Sequence, residues 1–159
     1  MTNPIVISID DSENDTLLME TAARRVTNSF HLRVFNDVET AIAYLDGLSN
    51  ANEDRDSFPA LILLDLKMPR KSGFEVLDKI RANNSLKNVP VVILTSSQHR
   101  EDVRRSYALG ASGYLVKPVD FDLLMELMDR VGQVLRGGDF GRVFGGKTDF
   151  QSRSGDQEK

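Results

Sequence analysis

The sequence predicts an α/β protein, a five-stranded parallel sheet with helices on both faces. Three observations predict it. Apolar runs and segments of helical period alternate five times along the chain. Each apolar run stops at a polar or charged residue. The first, third and fourth runs are apolar, Ser8 excepted, as strands buried on both faces must be, whereas the second alternates and the fifth is short. Such alternation implies right-handed crossovers and a parallel sheet. The two weaker runs suit the edges, where the strand order 2-1-3-4-5 of a flavodoxin-like, doubly wound sheet puts them.

The elements follow in order. Ile5–Ile9 is a β-branched run ending in Asp10-Asp11-Ser12. Leu17, Leu18, Met19, Ala22, Ala23 and Val26 then recur at helical spacing. The alternating strand His31–Phe35 leads to a helix marked by Val38, Ala41, Ile42 and Leu45, and the polar stretch from Ser49 to Ser57 reads as a loop. Leu61–Leu64 ends at Asp65, and Phe74, Val76, Leu77 and Ile80 mark a helix that stops at Asn83-Asn84. Val89–Leu94 ends at Thr95-Ser96-Ser97. Val103, Tyr107 and Leu109 predict a helix closed by Gly110. Tyr114–Val116 ends at Lys117-Pro118, and a long helix runs from Phe121 to Leu135 before Gly137-Gly138.

Composition narrows the function. The chain has 159 residues, 40% hydrophobic and 28% charged, room for one ordinary domain and a tail. Its 20 basic and 24 acidic side chains give a net charge of −4, which argues against a nucleic-acid binder. Without cysteine there is no disulfide, thiolate metal site or cysteine nucleophile. No apolar run approaches membrane-spanning length, and the first residues lack the basic flank of a signal peptide. The expectation is a soluble cytoplasmic protein with no membrane partner. Residues 1–136 form the domain. Residues 137–159 carry six of the eleven glycines and read as a flexible extension. Phe140, Val143, Phe144 and Phe150 stand out there, and a segment docked on its own domain or on a partner is the alternative. Gly141 to Thr148 fits a phosphate-loop pattern but lacks the preceding buried strand and following helix that such a loop needs.

Ligands of open parallel sheets bind beyond the carboxyl ends of the strands. Those ends carry Asp10-Asp11, Asp65, Thr95 and Lys117. Side by side, they form a pocket of three carboxylates facing a hydroxyl and an ammonium. Crowded carboxylates call for a cation, and hard oxygen ligands suit Mg²⁺. An Asp can serve as covalent nucleophile in phosphoryl transfer, which is mostly positioning and electrostatics.

Four segments carry a resemblance: Ile9-Asp10-Asp11-Ser12, Leu63-Leu64-Asp65-Leu66-Lys67-Met68-Pro69, Ile93-Leu94-Thr95-Ser96-Ser97 and Gly110 to Pro118. Together they resemble the receiver domain of two-component response regulators, of the single-domain, CheY-like type. The long polar loop and the extension resemble the subgroup paired with phytochrome-type kinases. The resemblance implies that Asp65 is phosphorylated by a sensor histidine kinase. It implies Mg²⁺ held by Asp11, Asp65 and the Lys67 backbone carbonyl, with Asp10 acting largely through water. It also implies a coupled switch of Thr95 and Tyr114, contact of Lys117 with the phosphoryl group, and a cis peptide bond between Lys117 and Pro118. On this reading the chain is no enzyme beyond its own phosphorylation and dephosphorylation. A phosphorelay shuttle or phosphate sink, or a plain dimerisation module, are the alternatives.

Two further expectations follow. The last helix has an apolar arc of about 200°, twice what a one-sided helix needs. It predicts a partner or homodimer face built from Leu123, Leu124, Met125, Leu127, Met128 and Val134 with the fifth strand. Lys67 and Ser97, each two residues beyond a site residue, should flank the path of attacking water. They predict slow self-hydrolysis of the phosphoryl group.

Overall fold

A computed structural model describes residues 3–26, 29–50 and 58–144. The strands are β1 (Ile5–Ile9), β2 (His31–Phe35), β3 (Pro59–Leu64), β4 (Val91–Thr95) and β5 (Gly113–Val116). The helices are α1 (Glu13–Val26), α2 (Val38–Asn50), α3 (Gly73–Ala82), α4 (Arg100–Ala108), α5 (Phe121–Leu135) and α6 (Phe140–Phe144). All strand pairings are parallel, and the sheet order is β2-β1-β3-β4-β5, as the pattern predicts.

The alternation of side chains along each strand explains the continuous apolar runs. Ile7, Ile9, Ile62, Leu64, Val91 and Ile93 point to one face and pack with α2, α3 and α4. Val6, Leu61, Leu63, Val92 and Leu94 point to the other and pack with α1 and α5. The central strands therefore need apolar residues at both parities. Edge strand β2 keeps a partly solvated pattern.

Two expectations change. α2 continues to Asn50, past the predicted loop start at Ser49; residues 51–57 lie outside the described part. The extension is not wholly flexible. α6 folds against α5 and β5, and Phe144 is 1% exposed, set beside Val92 and Gly113. Residues 145–159, with most of the phosphate-loop pattern, lie outside the described residues.

The predicted partner face is also corrected. Leu124, Leu127 and Met128 are buried within the chain, and Met125 and Val134 pack against the same core. The wide arc of α5 is consumed by three neighbours, the sheet, α1 and α6, rather than by one. Leu123 alone of the six stays exposed, near the fully open Val119.

Candidate functional site

Four loops at the carboxyl ends of the strands converge. β1 delivers Asp10, which is 2% exposed, and its backbone N–H still pairs with Phe35 of β2. The chain then turns outward: the Asp10 Oδ1 accepts from the Ser12 N–H, and Asn36 donates to the Asp10 carbonyl and to Thr16. This turn leaves Asp11 exposed at the rim. β3 delivers Asp65, 5% exposed, with its N–H bonded to the Ile9 carbonyl. Carboxylate oxygens of Asp10, Asp11 and Asp65 all lie within 4.8 Å of one another.

The loop after Asp65 is tightly drawn. The Lys67 N–H donates to Asp65 Oδ1 at 3.3 Å, while the Lys67 residue is exposed. Arg70 takes a left-handed φ of 72°, a cost of about 1 kcal/mol for a residue with a side chain. α3 then begins at Gly73, whose N–H donates to the Leu66 carbonyl. A Cβ at Gly73 would collide with the Asp65 backbone carbonyl, so the close approach of α3 to the acceptor loop requires glycine.

Lys117 enters from the end of β5, with its N–H bonded to the Thr95 carbonyl. Its ammonium lies 2.8 Å from Asp10 Oδ2, 2.8 Å from Asp15 Oδ2 and 3.0 Å from Asp65 Oδ2. Burial acts to lower the Lys117 pKa, but its close contacts with the Asp10 and Asp15 carboxylates prevail and hold it above the ordinary lysine range. Burial pushes the Asp10 carboxyl up to about 6, against the lowering effect of Lys117.

The cis bond is not found. No peptide bond among the described residues is cis, so Lys117–Pro118 is trans. Trans is the preferred isomer even before proline, and the trans bond already lets the Lys117 stem reach three carboxylates.

Thr95 is fully buried at the end of β4. Tyr114 points inward, and its hydroxyl donates to the Ser97 carbonyl at 3.0 Å. Burial raises the phenol pKa. Ser97 is 2% exposed, and its hydroxyl donates to Asp102 on α4 while accepting from the His99 N–H.

Thus Asp10, Asp11, Asp65 and Lys117 meet in one cluster, with Thr95 and Tyr114 on its β4–β5 side. Sequence reasoning missed Asp15 and Asp102. Asp15 had a signal, an acid one helical turn beyond Asp11 on the same helix mouth. Asp102 had none beyond its place in the first turn of α4.

The acidic cluster fits a divalent cation. Asp10 Oδ2 is buried and makes no directed hydrogen bond, with the Lys117 ammonium 2.8 Å away. Three carboxylates against one lysine leave negative charge that a hard cation would neutralise. No helix among the described residues is long and apolar enough to cross a membrane.

Comparison with known proteins agrees with this geometry. The response regulator Rcp1 of Synechocystis sp. is 33% identical over 127 residues, 80% of this chain and 85% of that protein. The Mn²⁺-bound structure of Rcp1 covers 86% of this chain and 97% of its own, with a TM-score of 0.71. The phosphorylated cyanobacterial phytochrome response regulator RcpA covers 86% and 96%, at 30% identity and a TM-score of 0.73. The profile of the response regulator receiver domain matches residues 6–129, so the chain belongs to that family and is a response regulator of a two-component system.

Proposed function

We propose that this receiver accepts a phosphoryl group on Asp65 from the phosphohistidine of a sensor kinase, and that the kinase is of the phytochrome type. The observation that carries the first part is the setting of Asp65. It is buried, with one oxygen on the Lys67 N–H and the other on the Lys117 ammonium, and with two further carboxylates at cation-sharing distance. The phytochrome link is supported by the likeness to RcpA.

In the transfer, an Asp65 oxygen attacks phosphorus, the phosphorus–nitrogen bond breaks, and the imidazole keeps the bonding pair. Asp11, Asp65 and the Lys67 carbonyl would hold Mg²⁺, with Asp10 oriented toward it. Bound there, Mg²⁺ would neutralise charge on the phosphoryl oxygens. Lys117 supplies the second positive charge, and Thr95 the hydroxyl donor. The phosphoryl group then competes for Thr95, and Tyr114 responds through the β4–α4 loop that its hydroxyl already holds. The signal leaves as a protein contact.

The test is phosphotransfer from a radiolabelled phytochrome-type histidine kinase. Label should move to the wild-type chain, stay on the kinase with Asp65→Asn, and remain there when Mg²⁺ is chelated. Transfer to Asp65→Asn would contradict the assignment. Transfer from unrelated kinases at equal rate would remove the phytochrome link.

A further inference from the structure

The ammonium of Lys117 makes two directed hydrogen bonds, and only one goes to the phosphoacceptor. The other goes to Asp15 Oδ2 at 2.8 Å, across 102 residues of chain. Its approach to Asp10 is an ion pair without a directed bond. Asp15 sits in the first turn of α1, its N–H bonded to the Ser12 hydroxyl, where the helix N-terminus favours a negative charge. It is thus a fixed acceptor on the rim, 43% exposed.

We propose that Asp15 is a positioning residue for phosphoryl transfer, acting through Lys117. This rests on the reading of Asp65 as phosphoacceptor. A lysine ammonium is a compact charge on a flexible four-carbon stem and keeps a defined direction only when its bonds are fixed. When a phosphoryl group forms on Asp65, the bond from Lys117 to Asp65 Oδ2 must pass to a phosphoryl oxygen. Asp65, with Asp10 beside it, would also serve a bound cation. Asp15 lies outside that set. It is the anchor that stays while the other bonds change, and it keeps the ammonium beside the reacting atoms rather than free to swing into solvent.

The test is a double-mutant cycle on the full chain, with acetyl phosphate and saturating Mg²⁺ and with phosphorylation followed by intact mass. Asp15→Ala should slow phosphorylation about tenfold, with half-saturation by acetyl phosphate little changed. The loss is smaller than the ~100-fold that an ångström of misplacement can cost, because Asp10 and Asp65 still attract the ammonium. Asp15→Asn, which keeps an acceptor oxygen, should fall between. In a Lys117→Ala background Asp15→Ala should change nothing, since the group it positions is gone. A second readout needs no phosphoryl transfer: in the metal-free protein, proton exchange from the Lys117 ammonium, followed by ¹⁵N NMR, should accelerate in Asp15→Ala.

Equal slowing in both backgrounds would mean that Asp15 acts on helix α1 or on the site's net charge, and would overturn the proposal. So would unchanged phosphorylation in the Asp15→Ala chain. If the wild type takes up no phosphoryl group at all, the phosphoacceptor reading itself fails. The ammonium exchange then decides alone whether Asp15 holds Lys117, and unchanged exchange overturns it.

Discussion

Two partly buried cations serve the opposite ends of the same sheet, and they are built differently. At the carboxyl ends, Lys117 faces carboxylates of Asp10, Asp15 and Asp65. At the amino ends, Arg81 of α3 faces neutral oxygens. Its Nε donates to the Gly110 carbonyl, Nη1 to the carbonyls of Lys87 and Val89, and Nη2 to the Ser112 hydroxyl. Those bonds close the turns before β4 and β5, and Ser112 completes the set by accepting from the Val91 N–H. Gly110, at φ 103°, makes the turn that offers its carbonyl. Burial lowers the Arg81 pKa, and no carboxylate counters it.

The difference separates function from scaffold. Arg81 uses its planar fork to satisfy acceptors that would otherwise be left bare, and nothing in its surroundings asks for a further ion. Lys117 is outnumbered by its carboxylates, so its end of the sheet keeps negative charge that a metal ion could neutralise. Burial with neutral partners stabilises a fold. Burial with excess charge prepares a site.

The largest test of that contrast removes Lys117. Lys117→Ala should lower the rate of phosphorylation from acetyl phosphate by about 100-fold or more, the usual loss of one transition-state donor. It should also tighten Mg²⁺ binding, measured by calorimetry, because ammonium and cation compete for Asp10 and Asp65. Weaker Mg²⁺ binding would show that Lys117 organises the carboxylates rather than competing for them.

Arg81→Ala is the mirror experiment. It should cost about 2–3 kcal/mol of stability in urea unfolding, the range for charge-assisted hydrogen bonds partly replaced by water. Phosphorylation at a temperature where the variant is folded should be unchanged. A lost phosphorylation rate with intact stability would erase the division between the two ends.

The smallest effect concerns an exposed carboxylate, the counterpart of buried Asp10. Asp37 accepts from the N–H and hydroxyl of Thr40, and these bonds hold its pKa below the ordinary aspartate value of 3.8. A carboxyl lowered by folding stabilises at pH above its unfolded value, and that contribution is lost as pH falls through the folded one. Asp37→Ala should therefore lower the melting temperature slightly at neutral pH, with the gap to wild type closing well below pH 3.8. A gap independent of pH would place the effect outside ionisation.

The sequence showed most of this plan because strands buried on two faces must be continuous, and their ends must not be. Asp10, Asp65, Thr95 and Lys117 mark those ends, and the strand order brings them together. Asp15 and Asp102 were not legible as partners. They sit on helix first turns, where acids are common, and their roles arise only from where the Lys117 stem and the Ser97 hydroxyl travel. The apolar arc of α5 was visible, but its use was not. Periodicity counts apolar positions and cannot say how many neighbours share them, and Phe144 of α6 lay beyond the glycines that suggested a flexible tail.

The central claim is that the negative end of the sheet is a cation-dependent phosphoacceptor centred on Asp65. Intact mass after incubation with acetyl phosphate tests it most directly. The account predicts the gain of one phosphoryl group in the presence of Mg²⁺, absent with EDTA and absent in Asp65→Asn. A gain that persists in Asp65→Asn, or that ignores EDTA, would contradict it.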